Sequence, residues 1–364
     1  MSRKSLLSFA LTLALVAIAG STPSFAMKID PGLAAALAGK DPNARVQVLV
    51  IYGNDNRLPA DVLSGLDQAS PDKRRQQTLA ALKKRMRATS NGAIAVLSNP
   101  AFSGEVGNLR ELYLAGALSF EATNGVVNAL HALPDDATMY HDNLEASHDA
   151  SQAPAPDGGK MLPAAVDTAW GVKWVNAHKV WSQLGFDGTG VIVGHIDTGV
   201  WLAHPDLAGG IYINPGEIAG NGIDDDGNGF IDDYRGWDFG DNDNNPDDTS
   251  PTGGHGTHTA GTVIGDGTGT VLTGVAPGAK LIPIKVWNAA GSGGTLGMVW
   301  AAEQYCIEMG ARVITMSLGF SGPSRRRSCA PSATTARTSA MPACCCATRR
   351  ATTTPPTNPR SNWA

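Results

Sequence analysis

Two residues of this 364-residue chain combine type and setting for proton-transfer chemistry. Asp197 stands in Asp197-Thr198-Gly199-Val200, directly after the apolar run Gly190 to Ile196. A carboxylate at the end of a buried strand is a poor core residue, and Gly199 allows the chain to turn so that the side chain enters a cleft. Further on, Gly253-Gly254-His255-Gly256-Thr257-His258-Thr259-Ala260-Gly261-Thr262 opens a helix. Small residues around His255 admit a neighbouring element closely, and a histidine at a helix start is partly exposed. A lone histidine is usually structural. One framed by glycines and matched with a strand-end aspartate is not a lone histidine, and the two mark a candidate functional site.

A second cluster has the chemistry of a hard cation. Asp224, Asp226 and Asn228 set oxygen donors at alternate positions, followed by Gly229 and by Asp232. That is the opening of an EF-hand loop, but Arg235 stands where the bidentate glutamate belongs. The pattern therefore predicts a calcium-stabilised surface loop with another ligand set, the alternative being a solvated acidic insertion. His255 and His258 lack the intervening acid of H-E-x-x-H, so a zinc pair is not expected.

The elements that must hold these residues alternate in type. Runs at Gly190 to Ile196, Ala279 to Trp287 and Ala311 to Leu318 read as buried strands, and Thr257 to Gly265 and Thr295 to Met309 as helices. Apolar strands separated by helices imply an α/β fold, a parallel sheet with helices on both faces. Its chemistry is expected at the carboxyl ends of the strands.

Ahead of this lies a smaller unit. Val46 to Tyr52 reads as a strand, Pro71 to Arg87 as a charged amphipathic helix and Glu111 to Phe120 as a second apolar run. Thr123 to Leu133 has helical spacing with Thr123 as its N-cap, and Ala137 to Tyr140 closes the sheet. This order predicts an α+β, ferredoxin-like module over residues 27–148. Residues 149–165, rich in Ala, Pro, Gly and Asp, have linker composition. Arg3 and Lys4, the apolar stretch Leu6 to Ala19 and Ser24-Phe25-Ala26 form a secretory signal over residues 1–26, too short for a membrane span. Secretion, extracellular or periplasmic, is expected, with no membrane anchor once the signal is removed. The net charge of −5 argues against nucleic-acid binding. Cys306 falls on an apolar helical pattern and reads as a small buried residue.

The ordered set of motifs from Trp170 to about Pro323 resembles the subtilisin-like serine proteases, whose triad runs Asp, His, Ser along the chain. Besides Asp197-Thr198-Gly199 and Gly254-His255-Gly256-Thr257-His258, the chain carries His204-Pro205-Asp206-Leu207, Gly274-Val275-Ala276-Pro277-Gly278-Ala279 and Met316-Ser317-Leu318-Gly319 in that order. Leu118-Ser119-Phe120-Glu121-Ala122 resembles the family's inhibitory propeptides. The resemblance implies a secreted endopeptidase acting on polypeptides, a propeptide that chaperones and inhibits it, His255 as general base and Asp197 as its orienting partner. It implies that Ser317, Leu318 and Gly319, with Gly291, Ser292 and Gly293, flank the substrate as added strands. It makes His258 a structural second histidine, and Asp206 a contributor to a separate calcium site, although residues 266–272 hold no asparagine to help it.

The chain departs from the family after Gly319, where neither a Gly-Thr-Ser-Met-Ala-type nucleophile motif nor an asparagine-ended apolar strand follows. The catalytic unit, read as residues 166–323, is therefore incomplete. Residues 324–364 contain no Asp, Glu, Gly, Val, Ile or Leu but seven Arg and four Cys, a composition unable to build a core. Read one base earlier, codons compatible with Met341 to Thr352 can encode Ala-Gly-Val-Leu-Leu-x-x-Ala-Ala-Gly-Asn, an apolar strand ending in asparagine. This implies a reading-frame change near Pro323 and a chain without its nucleophile. The alternatives are a catalytically dead binding or inhibitory protein of the same fold, and a calcium-binding extracellular module.

Overall fold

The computed structural model describes residues 26–53, 66, 69–147, 167–248, 254–269 and 271–321. The expected leader, linker and out-of-frame tail lie outside these residues, apart from Ala26.

The N-terminal unit contains β1 (Lys28–Ile29), α1 (Pro31–Leu37), β2 (Val46–Tyr52), α2 (Pro71–Leu97), β3 (Val106–Leu112), β4 (Ala117–Ala122), α3 (Asn124–His131) and β5 (Ala137–His141). From β2 onward the order is β-α-β-β-α-β, the ferredoxin-like arrangement expected from the sequence. The sheet order is β1-β5-β2-β4-β3, with every pair antiparallel except β1 with β5. The apolar run Glu111 to Phe120 is not one strand. It folds back at Gly116, whose φ of +65° suits a residue without a Cβ, and so supplies the end of β3 and most of β4. The charged helix also continues past Arg87 to Leu97, because Met86, Ala93 and Leu97 keep an apolar stripe on the sheet. Ser70 caps its start, accepting from the Lys73 amide.

The two faces of this sheet have different partners. Val48, Val50, Leu118, Phe120 and Met139 pack beneath α2 and α3, whereas Leu49, Leu112 and Ala117 join the core of the second unit. The alternation of a strand thus serves two cores at once.

The second unit contains β7 (Asp167–Thr168), α4 (Trp170–Trp174), α5 (Ala177–Leu184), β8 (Ile192–Asp197), β9 (Trp237–Asp238), α6 (His255–Ile264), β10 (Val271–Leu272), β11 (Lys280–Lys285), α7 (Leu296–Glu308) and β12 (Val313–Met316). Its main sheet runs β12-β8-β11-β9 and is parallel throughout. Val193 of β8 and Leu281 of β11 pack with Ala260 and Ile264 of α6 on one face. Ile196, Ile282 and Ile284 pack with Val299, Ala302, Tyr305 and Cys306 of α7 on the other. Helices cover both faces, as the α/β reading expects. Cys306 is fully buried and reaches over Gly194, where a Cβ would collide with its sulfur.

Two further strands tie the units together. β6 (Glu145–Ser147) pairs antiparallel with β13 (Gly319–Ser321), and on its other side the Ala146 amide donates to the Gly294 carbonyl at 2.7 Å. Among the described residues, no helix is long and apolar enough to cross a membrane.

Candidate active site

β8 delivers Asp197 to the carboxyl end of the parallel sheet, and α6 begins there with His255. Nδ1 of His255 lies 2.6 Å from Oδ1 of Asp197. Asp197 is fully buried, while the His255 side chain keeps 16% of its surface exposed. The aspartate can therefore fix the ring without meeting solvent, and the imidazole reaches the cleft.

This approach depends on Gly256. A Cβ there would collide with the Gly199 carbonyl and press on the Asp197 side chain, so only glycine lets the first turn of α6 lie against the β8 turn. Gly199 itself has a φ of +106° and abuts the Pro246 carbonyl. Of the glycines that frame His255 in the sequence, Gly256 is thus the close-approach point, while Gly254, at φ +77°, serves the turn into the helix.

Asp197 has further donors. Its Oδ1 accepts from the Thr198 amide at 2.7 Å and its Oδ2 from the Thr259 hydroxyl at 3.1 Å. Burial by itself would raise its pKa, but the His255 hydrogen bond, the neighbouring histidine charges and the Thr198 amide outweigh it. The carboxyl consequently lies below its ordinary value. Asp197 is held as an anion, which is the state that orients and stabilises an imidazolium.

Sequence reasoning missed three supports. Asp248 accepts from the Thr257 amide at 3.2 Å and the Thr257 hydroxyl at 2.8 Å, so it caps the helix that begins at His255. Thr198 donates its hydroxyl to Asp248 at 3.4 Å and accepts from the Gly256 amide at 2.8 Å. Buried His195 donates to the Gly256 carbonyl, its Nε2 lying at 2.9 Å. An Asp in a polar loop and a His inside an apolar run carry little local signal. His258 is exposed and lies on the wall of a cleft with Trp201, His204 and Asp206, apart from the Asp197–His255 pair.

The six expected substrate-flanking residues divide. Gly319 pairs with Ser147 in the β13–β6 ladder, and Ser317 and Leu318 lead from β12 into it. Gly293 lies against Ala146, whose carbonyl a Cβ would strike. Gly291 and Ser292 instead close a turn on Asn288, with the Gly291 amide on its carbonyl and the Ser292 amide on its side chain. The groove between β13 and residues 293–295 is thus lined by part of the expected set, and residues 145–147 occupy it.

The expected calcium ligands of the acidic loop do not all face one point. Asp224 spends both oxygens on the Asn228 and Gly229 amides, and Asp232, at φ +55°, turns away to accept from Asn221 and Gly222. Asn228 directs its side-chain amide at Asp226 and Asp233, a donor that repels a cation. Asp206 lies elsewhere, bonded to the Gly269 amide. The carboxylates that do converge are Glu217, Asp226 and Asp233, with oxygens within 4.8 Å of one another. Only Asp226 was in the expected set. Glu217 is 6% exposed, and its Oε2 is buried without a hydrogen-bond partner. Burial pushes Asp233 above the usual carboxylate range, against bonds from Tyr305, Asn228 and Asn214.

Residues 188–350 match the profile of the subtilase family, peptidase S8, a match that continues beyond Pro323. Minor extracellular protease Vpr of Bacillus subtilis is 29% identical over 86% of this chain and 35% of its own length. Subtilisin DY of Bacillus licheniformis is 36% identical over 43% of this chain and 45% of its own. Among solved structures, fervidolysin from Fervidobacterium pennivorans is 18% identical with a TM-score of 0.41, covering 76% of this chain and 36% of that one. The chain spans less than half the length of each of these relatives. Over residues 188–350 the chain is thus similar to the subtilisin-like serine proteases, the peptidase S8 subtilases.

Proposed function

We propose that this chain is the precursor of a secreted subtilisin-like serine endopeptidase that lacks its nucleophile. The observation that carries the reading is the 2.6 Å contact between His255 and buried Asp197 at the carboxyl end of a parallel sheet. In the complete reaction a serine hydroxyl attacks the peptide carbonyl and passes its proton to His255 Nε2. Asp197 stabilises the resulting imidazolium, and the proton then leaves with the amine. Water repeats the sequence to release the acyl group. Asp197 and His255 are thus prepared for a chemistry whose first atom this chain does not supply. The tail composition supports a frame change near Pro323 as the reason.

Residues 27–148 act as the propeptide. The support is positional, since residues 145–147 lie as a strand in the groove that polypeptide substrate would enter. This occupancy also favours a second reading, a protein of the same fold that binds or inhibits without cleaving.

Calcium is the cofactor best suited to the acidic loop, held by Glu217, Asp226 and Asp233. The buried, unpartnered Glu217 Oε2 fits a hard cation that takes oxygen ligands, and the ion would neutralise three neighbouring carboxylates. Its role is structural.

A fluorophosphonate probe tests the proposal, because it labels only an activated serine. The expected result is no labelling of this chain and labelling of one restored in frame after Gly319. Labelling of the unaltered chain overturns the missing-nucleophile reading, and a restored chain that stays unlabelled favours the binding protein.

A further inference from the structure

We propose that His195 is a positioning residue for His255, holding the start of α6 against β8 through the Gly256 carbonyl. The inference rests on the reading of Asp197 and His255 as a catalytic pair.

His195 and Asp197 project from the same side of β8, two residues apart, toward α6. Nε2 of His195 lies 2.9 Å from the carbonyl oxygen of Gly256, the residue after His255. A carbonyl only accepts, so Nε2 carries the hydrogen, and in the neutral ring Nδ1 is bare. Nδ1 is buried and has no hydrogen-bond partner. Adding a proton there would create a buried cation with no acceptor for its second N–H, so the ring stays neutral while it holds the carbonyl. Burial, the leading influence, pushes His195 below its ordinary pKa. Asp197, the Gly256 bond and Asp248 oppose this, while His255 adds to it.

A ring that is fully buried, neutral and half-satisfied is an expensive choice for a strand position that a valine would fill. What it contributes is a fixed distance. The Gly256 amide is held by Thr198 at 2.8 Å and the Gly256 carbonyl by His195, so both ends of one residue are tied to β8 and its turn. The Thr259 hydroxyl lies 3.3 Å from His195 Nε2 and 3.1 Å from both the Gly256 carbonyl and Asp197 Oδ2, closing the network on the aspartate. His255 begins the helix so held and has little freedom to leave Asp197.

Nitrogen-15 and proton NMR of the full chain, labelled at histidine, tests this. In the unaltered protein His195 should show the Nε2–H tautomer and should not titrate over the range in which His255 does. The His255 Nδ1 proton should appear far downfield. His195→Val should broaden or abolish that downfield proton and lower the proton affinity of His255 about threefold or more, while His195→Gln, which keeps an amide donor for Gly256, should retain both. An Nδ1–H tautomer at His195 in the unaltered chain overturns the proposal without recourse to any variant. So does a folded His195→Val protein with the downfield proton and the His255 titration unchanged, or a His195→Gln protein as impaired as His195→Val. Asp197→Asn serves as the control. If it leaves the His255 titration unmoved, the pair itself fails and this proposal with it, whereas the other outcomes strike at His195 alone.

Discussion

The carboxylate of Asp142 accepts the amide hydrogen of Gly297 at 2.9 Å, so a residue of the N-terminal unit satisfies the first turn of α7 in the second unit. Gly297 has no room for more. A Cβ there would strike the Ser119 hydroxyl and come within 2.8 Å of an Asp142 oxygen. Docking of the two units is therefore written into α7 as well as into the N-terminal sheet.

Gly297→Ala should loosen this docking while leaving α7 intact, since alanine is the better helix former by about 1 kcal/mol. Hydrogen exchange at Ala146, whose amide is bonded to Gly294, reports the loosening. The expected outcome is faster exchange there and unchanged protection inside β8 and β11. Equal protection at Ala146 in both proteins refutes the docking role.

Lys285 and Asp238 form a buried ion pair at 2.6 Å, with exposures of 2% and 1%. Asp238→Asn leaves the ammonium only the more exposed Asp241, 3.4 Å away, and should cost less in urea unfolding than the about 3–5 kcal/mol of a fully stranded buried charge. Replacing both residues together by Met and Leu should cost much less, because no buried charge is then left alone. A single replacement as mild as the double one would show that Asp241 suffices to hold the lysine.

Burial raises Glu303 from 4.5 to about 7. Both folded and unfolded chains are protonated below the unfolded value, so the carboxyl carries no penalty there. As pH rises toward about 7 the unfolded chain ionises first and the folded one is penalised. Stability should fall over this window by up to about 3 kcal/mol. Glu303→Gln should flatten that part of the pH–stability curve, and an unaltered slope would place the source elsewhere.

Calcium should raise the thermal midpoint of the chain and a chelator should lower it. Glu217→Gln removes the charge on the buried oxygen and should erase most of the calcium-dependent difference. Asp224→Asn, at a residue already committed to the Asn228 and Gly229 amides, should retain it. Reversal of that ranking would restore the EF-hand-like ligand set read from spacing.

The Asp197–His255 contact was legible because glycine placement and strand-end position are local signals. Asp197 follows an apolar run, and a glycine directly after His255 marks a point of close approach. The converging carboxylates were less legible because alternation along a loop says where side chains fall only if the backbone is regular. At Asp232 the backbone is left-handed, which turns that side chain to the Asn221–Gly222 turn and leaves Asp233 to face Asp226. Glu217 precedes the acidic run and was invisible to its spacing. His195 was hidden by the apolar run around it, which reads as uniform although alternate residues face different helices. The hairpin at Gly116 was hidden likewise, since a tight turn among apolar residues leaves the hydrophobic pattern unbroken.

The short ladder between β6 and β13 has a bearing on how the molecule comes together. Its two strands are separated by nearly the whole second unit, so closing it carries a loop-closure entropy cost that docking of the units through their shared core must first meet. The groove that receives residues 145–147 exists only once α7 and the β12 end of the sheet are in place. That ladder should consequently be the last contact to form and the first to open. In kinetic terms it is a latch, acting with the shared core and the Asp142–Gly297 contact to keep the groove closed.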